Sequence, residues 1–153
     1  MQPLRHWNRL SRYPFGKRFF SWLIGRIAPY TGTISPLIQK FEEGKIEVLL
    51  RDRKRVRNHL NSIHAIALMN VGEVSTGLAV VSTLPENARA IIVHLEIDFI
   101  KKARGPILSS CEYKRDYPIP LIERKEVNAE ALLTNAEGVQ VAKVRARWLV
   151  GPK

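Results

Sequence analysis

Cysteine is nearly absent: Cys111 is the single thiol in 153 residues. One thiol excludes an internal disulfide and any site built from several cysteines. It lies in the stretch Ile107-Leu108-Ser109-Ser110-Cys111, where a small buried residue is the expected reading. Acidic residues are missing from the N-terminal quarter, and the first is Glu42. The cations there, Arg5, Arg9, Arg12, Lys17, Arg18 and Arg26, have no local counter-charge. No apolar run approaches the roughly 18 residues of a membrane span. The apolar segment Trp22-Leu23-Ile24 is broken by Gly25 and Arg26, and no small-residue cleavage pattern follows. That speaks against a signal peptide and makes a cytoplasmic location the expectation. His6, His59, His64 and His94 show no ligand spacing, so no metal is expected.

What is present is an ordinary globular composition with one bias. Apolar residues make up 45% and charged residues 25%, and the formal net charge is +11. This length and balance fit one domain. The positive excess favours an anionic partner: nucleic acid, acidic lipid or a phosphate-bearing ligand. No nucleic-acid motif accompanies the charge, so nucleic acid is not the expected partner.

The segment 1–30 reads as a basic, amphipathic helical extension. Phe19, Phe20, Leu23, Ile24 and Ile27 share one side of a helical wheel, and Lys17, Arg18 and Ser21 take the other. Pro14 suits a helix's first turn and Pro29 marks a stop. Such a face packs over a sheet or lies on an anionic membrane, with Trp22 and the phenylalanines inserted. The segment 31–153 reads as the main domain. Leu37 to Phe41 and Ile46 to Leu50 form two strands around a Glu42-Glu43-Gly44-Lys45 turn. A basic connector, Arg51 to Arg57, follows with only Asp52 opposing. Residues 62–82 predict one long, mostly apolar and therefore buried helix, with Ser62 as N-cap. Four strands complete the chain. In the first, Ile91, Val93, Leu95, Ile97 and Phe99 alternate with His94, Glu96 and Asp98. Strands then run over Ile107–Tyr113, Val127–Leu133 and Val139–Val150, with breaks at Gly105-Pro106 and Asn135-Ala136-Glu137-Gly138. Strands joined by short turns imply an antiparallel sheet, giving an α+β fold with a sheet around one helix.

The string Asn58-His59-Leu60-Asn61-Ser62-Ile63-His64-Ala65, followed by Glu73, resembles the hot-dog-fold thioesterases of the phenylacetate-pathway type. Members carry an Asn, then His-Gly-Gly opening the central helix, then an acid nine residues after the His. Asn58, His64 and Glu73 keep that spacing. The resemblance covers residues 31–150, and the helical extension is similar to a subgroup with little assigned activity. It implies a curved antiparallel sheet around one helix, and a homodimer or a tetramer. It also implies hydrolysis of an acyl-CoA or related thioester, with no cofactor beyond the CoA of the substrate. In family terms Glu73 activates water or attacks directly, Asn58 orients the carbonyl, His64 holds the loop, and the Ala65 N–H stabilises the oxyanion. Lys101, Lys102 and Arg104 are the expected contacts for CoA phosphates, with Arg51 to Arg57 as a second candidate. Two positions depart from the pattern. The glycines are Ala65 and Ile66 here, and the hydroxyl residue one turn after the acid is Gly77. These departures motivate a second reading, a fold that binds an acyl thioester or lipid without turnover. A basic peripheral membrane or nucleic-acid-binding protein is the third.

Overall fold

The computed structural model describes residues 3–153. The N-terminal segment is three helices rather than one: α1 (Pro3–Leu10), α2 (Gly16–Ile27) and α3 (Pro29–Ile34). The first break has a local cause. Phe15 takes the left-handed conformation (φ 63°), and a Cβ on Gly16 would lie 1.7 Å from the Leu10 carbonyl oxygen. Only glycine permits that close return of the chain. Pro14 therefore sits in the turn before α2, not within its first turn. Pro29 ends α2 and opens α3, where its missing N–H costs nothing.

The buried face of α2 also differs from the wheel. Phe20 and Ser21 point inward, while Phe19 and Ile27 are exposed. Two interactions set that rotation. Phe20 packs edge-on against Trp7 at 5.4 Å and beside Phe41. The Ser21 hydroxyl donates to the Lys17 carbonyl (2.7 Å) and accepts the Ile38 N–H (2.9 Å). A polar side chain thus takes a core position because it ties α2 to the first strand.

Six antiparallel strands form one sheet in the order β1-β2-β4-β5-β6-β3. They are β1 (Leu37–Glu42), β2 (Lys45–Leu50), β3 (Ala88–Phe99), β4 (Ile107–Glu112), β5 (Lys125–Thr134) and β6 (Gln140–Pro152). The central helix α4 (Ala65–Ser82) follows β2 and touches all six strands. A sheet that contacts one helix along every strand is wrapped around it, and this is the hot-dog fold that the sequence resemblance implies.

α4 corrects the expectation about apolar runs. It spans 18 residues and is apolar enough, by length and composition, to cross a membrane. Its packing gives the apolarity another use. Val71, Ala79 and Val80 are fully buried against the sheet. A helix enclosed on most sides is apolar nearly all round.

Two glycines set how closely α4 approaches β6. A Cβ on Gly72 would fall 2.4–2.8 Å from three atoms of Val144. A Cβ on Gly77 would fall 2.9 Å and 3.0 Å from the Trp148 ring. Glycine costs a helix about 1 kcal/mol relative to alanine, so its presence twice inside α4 reflects this contact.

β3 does not keep one phase along its length. A bulge at Val93 breaks the register with β6 between Ile92 and His94. Beyond it Leu95 and Ile97 face α4, as the alternation predicts. Before it Ala90 and Ile92 face inward, and Ile91 and Val93 are exposed. An extra residue inverts the faces of everything upstream.

Candidate functional site

The site is built around the start of α4. Sequence alone placed that start at Ser62, but the helix begins at Ala65 and His64 is its N-cap. The loop before it explains the delay. Asn61 is left-handed (φ 54°), and Ile63 remains extended, bridged to Arg57. The Ser62 hydroxyl is buried and caps nothing.

Asn58 organises this loop. Its Oδ1 accepts the N–H groups of Leu60 (2.9 Å) and Ser62 (3.1 Å), and its own N–H donates to the Ser62 carbonyl (2.8 Å). With Oδ1 committed, the Nδ2 group is the part of the side chain left to donate to a ligand. His64 caps the helix: its Nδ1 accepts the Ile66 N–H at 3.1 Å. A ring nitrogen that accepts carries no proton, so the neutral ring bears its proton on Nε2. His64 thus holds the loop through its Nδ1.

The first-turn amides of α4 can be accounted for one by one. Ile66 is capped by His64 Nδ1, and Ala67 (2.9 Å) and Leu68 (3.1 Å) donate to the His64 carbonyl. The Ala65 N–H has no acceptor among the described residues, and Ala65 is exposed. An open amide at the positive end of an 18-residue helix suits an anionic oxygen.

Glu73 lies on the same helix, on the less enclosed face with Ile66 and Met69 at helical spacing. No cation among the described residues pairs with it. Burial raises its pKa above the ordinary glutamate value. A partly desolvated carboxylate with no counter-ion is costly unless it has a task. Eight residues separate it from Ala65, about 12 Å along the helix axis.

The hydroxyls near Glu73 are spoken for. Thr76 donates to the Glu73 carbonyl (3.0 Å), and Ser75 bonds the Val71 carbonyl (2.9 Å) and the Ser109 hydroxyl (2.8 Å). Both are fully buried. The space beside Gly77 is occupied by Trp148, whose indole N–H is buried without a partner among the described residues.

Lys101, Lys102 and Arg104 are exposed and unpaired among the described residues. Their loop is tied to the α4 loop, because the Ile63 N–H donates to the Ala103 carbonyl at 2.8 Å. A second tie is one the sequence signalled only as a lone acid in a basic run. Asp52 accepts from Arg57 Nε (2.6 Å) and from the Gly105 N–H (3.0 Å). The hydrogen bond from Arg57 holds its carboxyl below the usual aspartate value. Asp52 therefore brings the basic loop, the connector and the α4 loop together.

The chain shares its architecture with solved structures of low identity. The structural-genomics protein APC5556 aligns with a TM-score of 0.81 at 21% identity, covering 99% of each chain. PA5026 of Pseudomonas aeruginosa, described as of unknown function and a probable thioesterase, aligns with a TM-score of 0.76 at 18% identity, covering 92% of this chain and 97% of that one. The Staphylococcus aureus thioesterase SAV0944 aligns with a TM-score of 0.68 at 15% identity, covering 81% and 99%. These likenesses place the chain in the hot-dog fold, among proteins several of which are called thioesterases. More narrowly, residues 16–150 match the family described as "Domain of unknown function (DUF4442)", and the chain belongs to that family. No curated protein matches it.

Proposed function

We propose that this protein hydrolyses an acyl-CoA or related thioester to a carboxylic acid and a free thiol. The observation that carries the reading is a pairing on α4: one open amide at its start, Ala65 N–H, and one unpaired carboxylate, Glu73. Thioester hydrolysis needs a donor for the oxygen that becomes negative and a base that delivers water to the carbonyl carbon. Ala65 supplies the first and Glu73 the second. Asn58 Nδ2 orients the carbonyl, and Lys101, Lys102 and Arg104 bind the phosphates of CoA.

The geometry favours two chains over one. About 12 Å of helix separates donor from base, a long reach for one carbonyl and its water, each held at roughly 3 Å. A two-fold partner whose Ala65 faces this chain's Glu73 would shorten that reach. β3 is the free edge of the sheet at its β6 end, and its outer side carries no strand. A homodimer paired along β3 supports this arrangement.

The test is thiol release over a panel of acyl-CoA chain lengths, with Glu73→Ala as control. Wild type should turn over at least one chain length, and the variant should lose roughly 10²–10⁴-fold in kcat. Equal, slow release from both would sink the assignment of Glu73. A second reading rests on Trp148, which fills the place beside Gly77. There the fold binds the thioester without turnover. Tight binding by calorimetry with no thiol release favours that alternative.

A further inference from the structure

The outward face of α2 has no work in the thioester site. Phe19, Trp22 and Arg26 follow at i, i+3 and i+7, one stripe along α2, and Phe15 immediately precedes the helix. The three aromatics are 75%, 52% and 58% exposed. Phe19 and Trp22 stack at 5.7 Å, and the Arg26 guanidinium lies 5.9 Å from the Trp22 ring. Ile27 and Tyr30 extend the exposed apolar surface towards α3. This is a rigid platform. Phe20 anchors α2 in the core, and Gly25 and Gly32 let α2 and α3 touch backbone to backbone.

Beside the stripe runs a groove of about 720 Å³ between α2, α3 and the connector after β2. Arg18, Arg26, Arg51 and Arg55 line it together with Trp22. None of the four arginines meets a carboxylate among the described residues. Arg53, between two of them, is turned inward onto the Ile34 carbonyl (2.6 Å). No acid occurs in the sequence before Glu42.

We infer that this face docks on an anionic phospholipid bilayer. Aromatics at the water–lipid boundary and arginines at headgroup depth are what an interfacial helix presents. The charge is complementary to lipid phosphates, and the groove offers guanidinium groups to them. α2 packs on β1, at the opposite end of the sheet from β3. Docking thus leaves the β3 edge free, and it stands or falls independently of thioester hydrolysis.

Tryptophan provides a built-in probe. Trp7 and Trp148 are buried, and Trp22 is the exposed one of the three. The full chain is titrated with vesicles of phosphatidylcholine, with and without phosphatidylglycerol. Expected is a blue shift and shielding from acrylamide only with the anionic vesicles. Trp22→Phe should abolish the optical signal while co-sedimentation persists. Each arginine near the surface strengthens attachment roughly fivefold, so Arg18→Gln/Arg51→Gln should weaken partitioning roughly 25-fold with an unchanged melting temperature. Phe19→Ser/Trp22→Ser, followed by co-sedimentation, should weaken it through lost apolar insertion with the net charge unchanged. The inference is overturned by any of three results. One is no partitioning, or equal partitioning to neutral vesicles. Another is an arginine double variant that binds as wild type does. The last is a drop in oligomer mass for Phe19→Ser/Trp22→Ser in solution, which would make the face a contact between copies.

Discussion

If the donor and the base come from opposite protomers, two inactive variants should restore each other. Take Glu73→Gln, which removes the base, and Asn58→Ala, which removes the carbonyl-orienting amide and loosens the loop that holds the Leu60 and Ser62 N–H groups. Each homodimer has two damaged sites. In a mixed dimer, one site carries both substitutions and the other carries neither, because an isologous pair exchanges the same two patches. Random reassortment of equal amounts gives about half mixed dimers, each with one intact site of two, so the mixture should recover roughly one quarter of wild-type activity. Each variant alone should retain no more than about 10⁻² of it. Thiol release is followed after co-refolding or co-expression, where subunits exchange fully. Activity equal to the mean of the two variants refutes the two-chain site. The separation of about 12 Å along α4 would then have to be bridged within one protomer.

Burial raises the Glu73 pKa, so activity should rise with pH through a midpoint above the ordinary glutamate value of about 4.3, and Glu73→Gln should abolish that limb. The same shift has a consequence for stability. A carboxyl whose folded pKa is raised favours the folded state fully below its unfolded value, and that advantage is lost as pH rises through the folded one. Glu73→Gln should therefore melt higher than wild type near pH 8, and the gap should close towards pH 4. Asp52 has the opposite sign, because Arg57 depresses its pKa. Its contribution is present above the unfolded value of about 3.9 and is lost as pH falls through the depressed one. Asp52→Asn should lower the melting temperature at pH 7, and the two proteins should converge in acid; equal melting at pH 7 would mean the latch between Arg57 and Gly105 adds no stability. Gly72→Ala should cost up to about 2 kcal/mol in denaturant unfolding, from overpacking of roughly 1–3 less about 1 of helix propensity. Val144 is stiff and fully buried, so it cannot move aside.

The strands and the central helix were legible because period-2 and all-apolar patterns survive in the sequence; the pairing of β3 with β6 was not. Leu95 and Ile97 alternate because they face a helix, and α4 is apolar because it is enclosed. Where the pattern misled, a single residue intervened. The bulge at Val93 inverts the faces upstream, and alternation carries no mark of an inserted residue that is itself apolar. The break at Gly16 comes from a close approach to Leu10, which no propensity encodes. Ser62 is a good N-cap by type, but Asn58 bends the chain first, so the cap falls to His64. The spacing Asn58–His64–Glu73 located the candidate site. Asp52 and Trp148 were not legible as part of it, because their partners, Gly105 and Gly77, are far away in sequence.

The two halves of the candidate site differ in how their polar groups are used. At the start of α4 nearly every polar group is assigned: Asn58 Oδ1, His64 Nδ1 and three of four first-turn amides have partners, and one amide is left open. That is a preorganised donor, and it does not depend on the glycines replaced by Ala65 and Ile66, because the capping side chain belongs to His64. Two and a half turns on, the arrangement is reversed. Glu73 has no partner among the described residues, the nearby hydroxyls serve the backbone, and Trp148 occupies the space next to Gly77. A donor for the oxyanion is useful to a binder and to an enzyme alike, since both must hold a thioester carbonyl. Only the carboxylate distinguishes them. An unpaired carboxylate kept partly desolvated is destabilising at neutral pH, and a protein that merely binds would lose nothing by replacing it with glutamine. A partly buried carboxylate with no cation beside it among the described residues is the physical argument behind the proposed chemistry at Glu73.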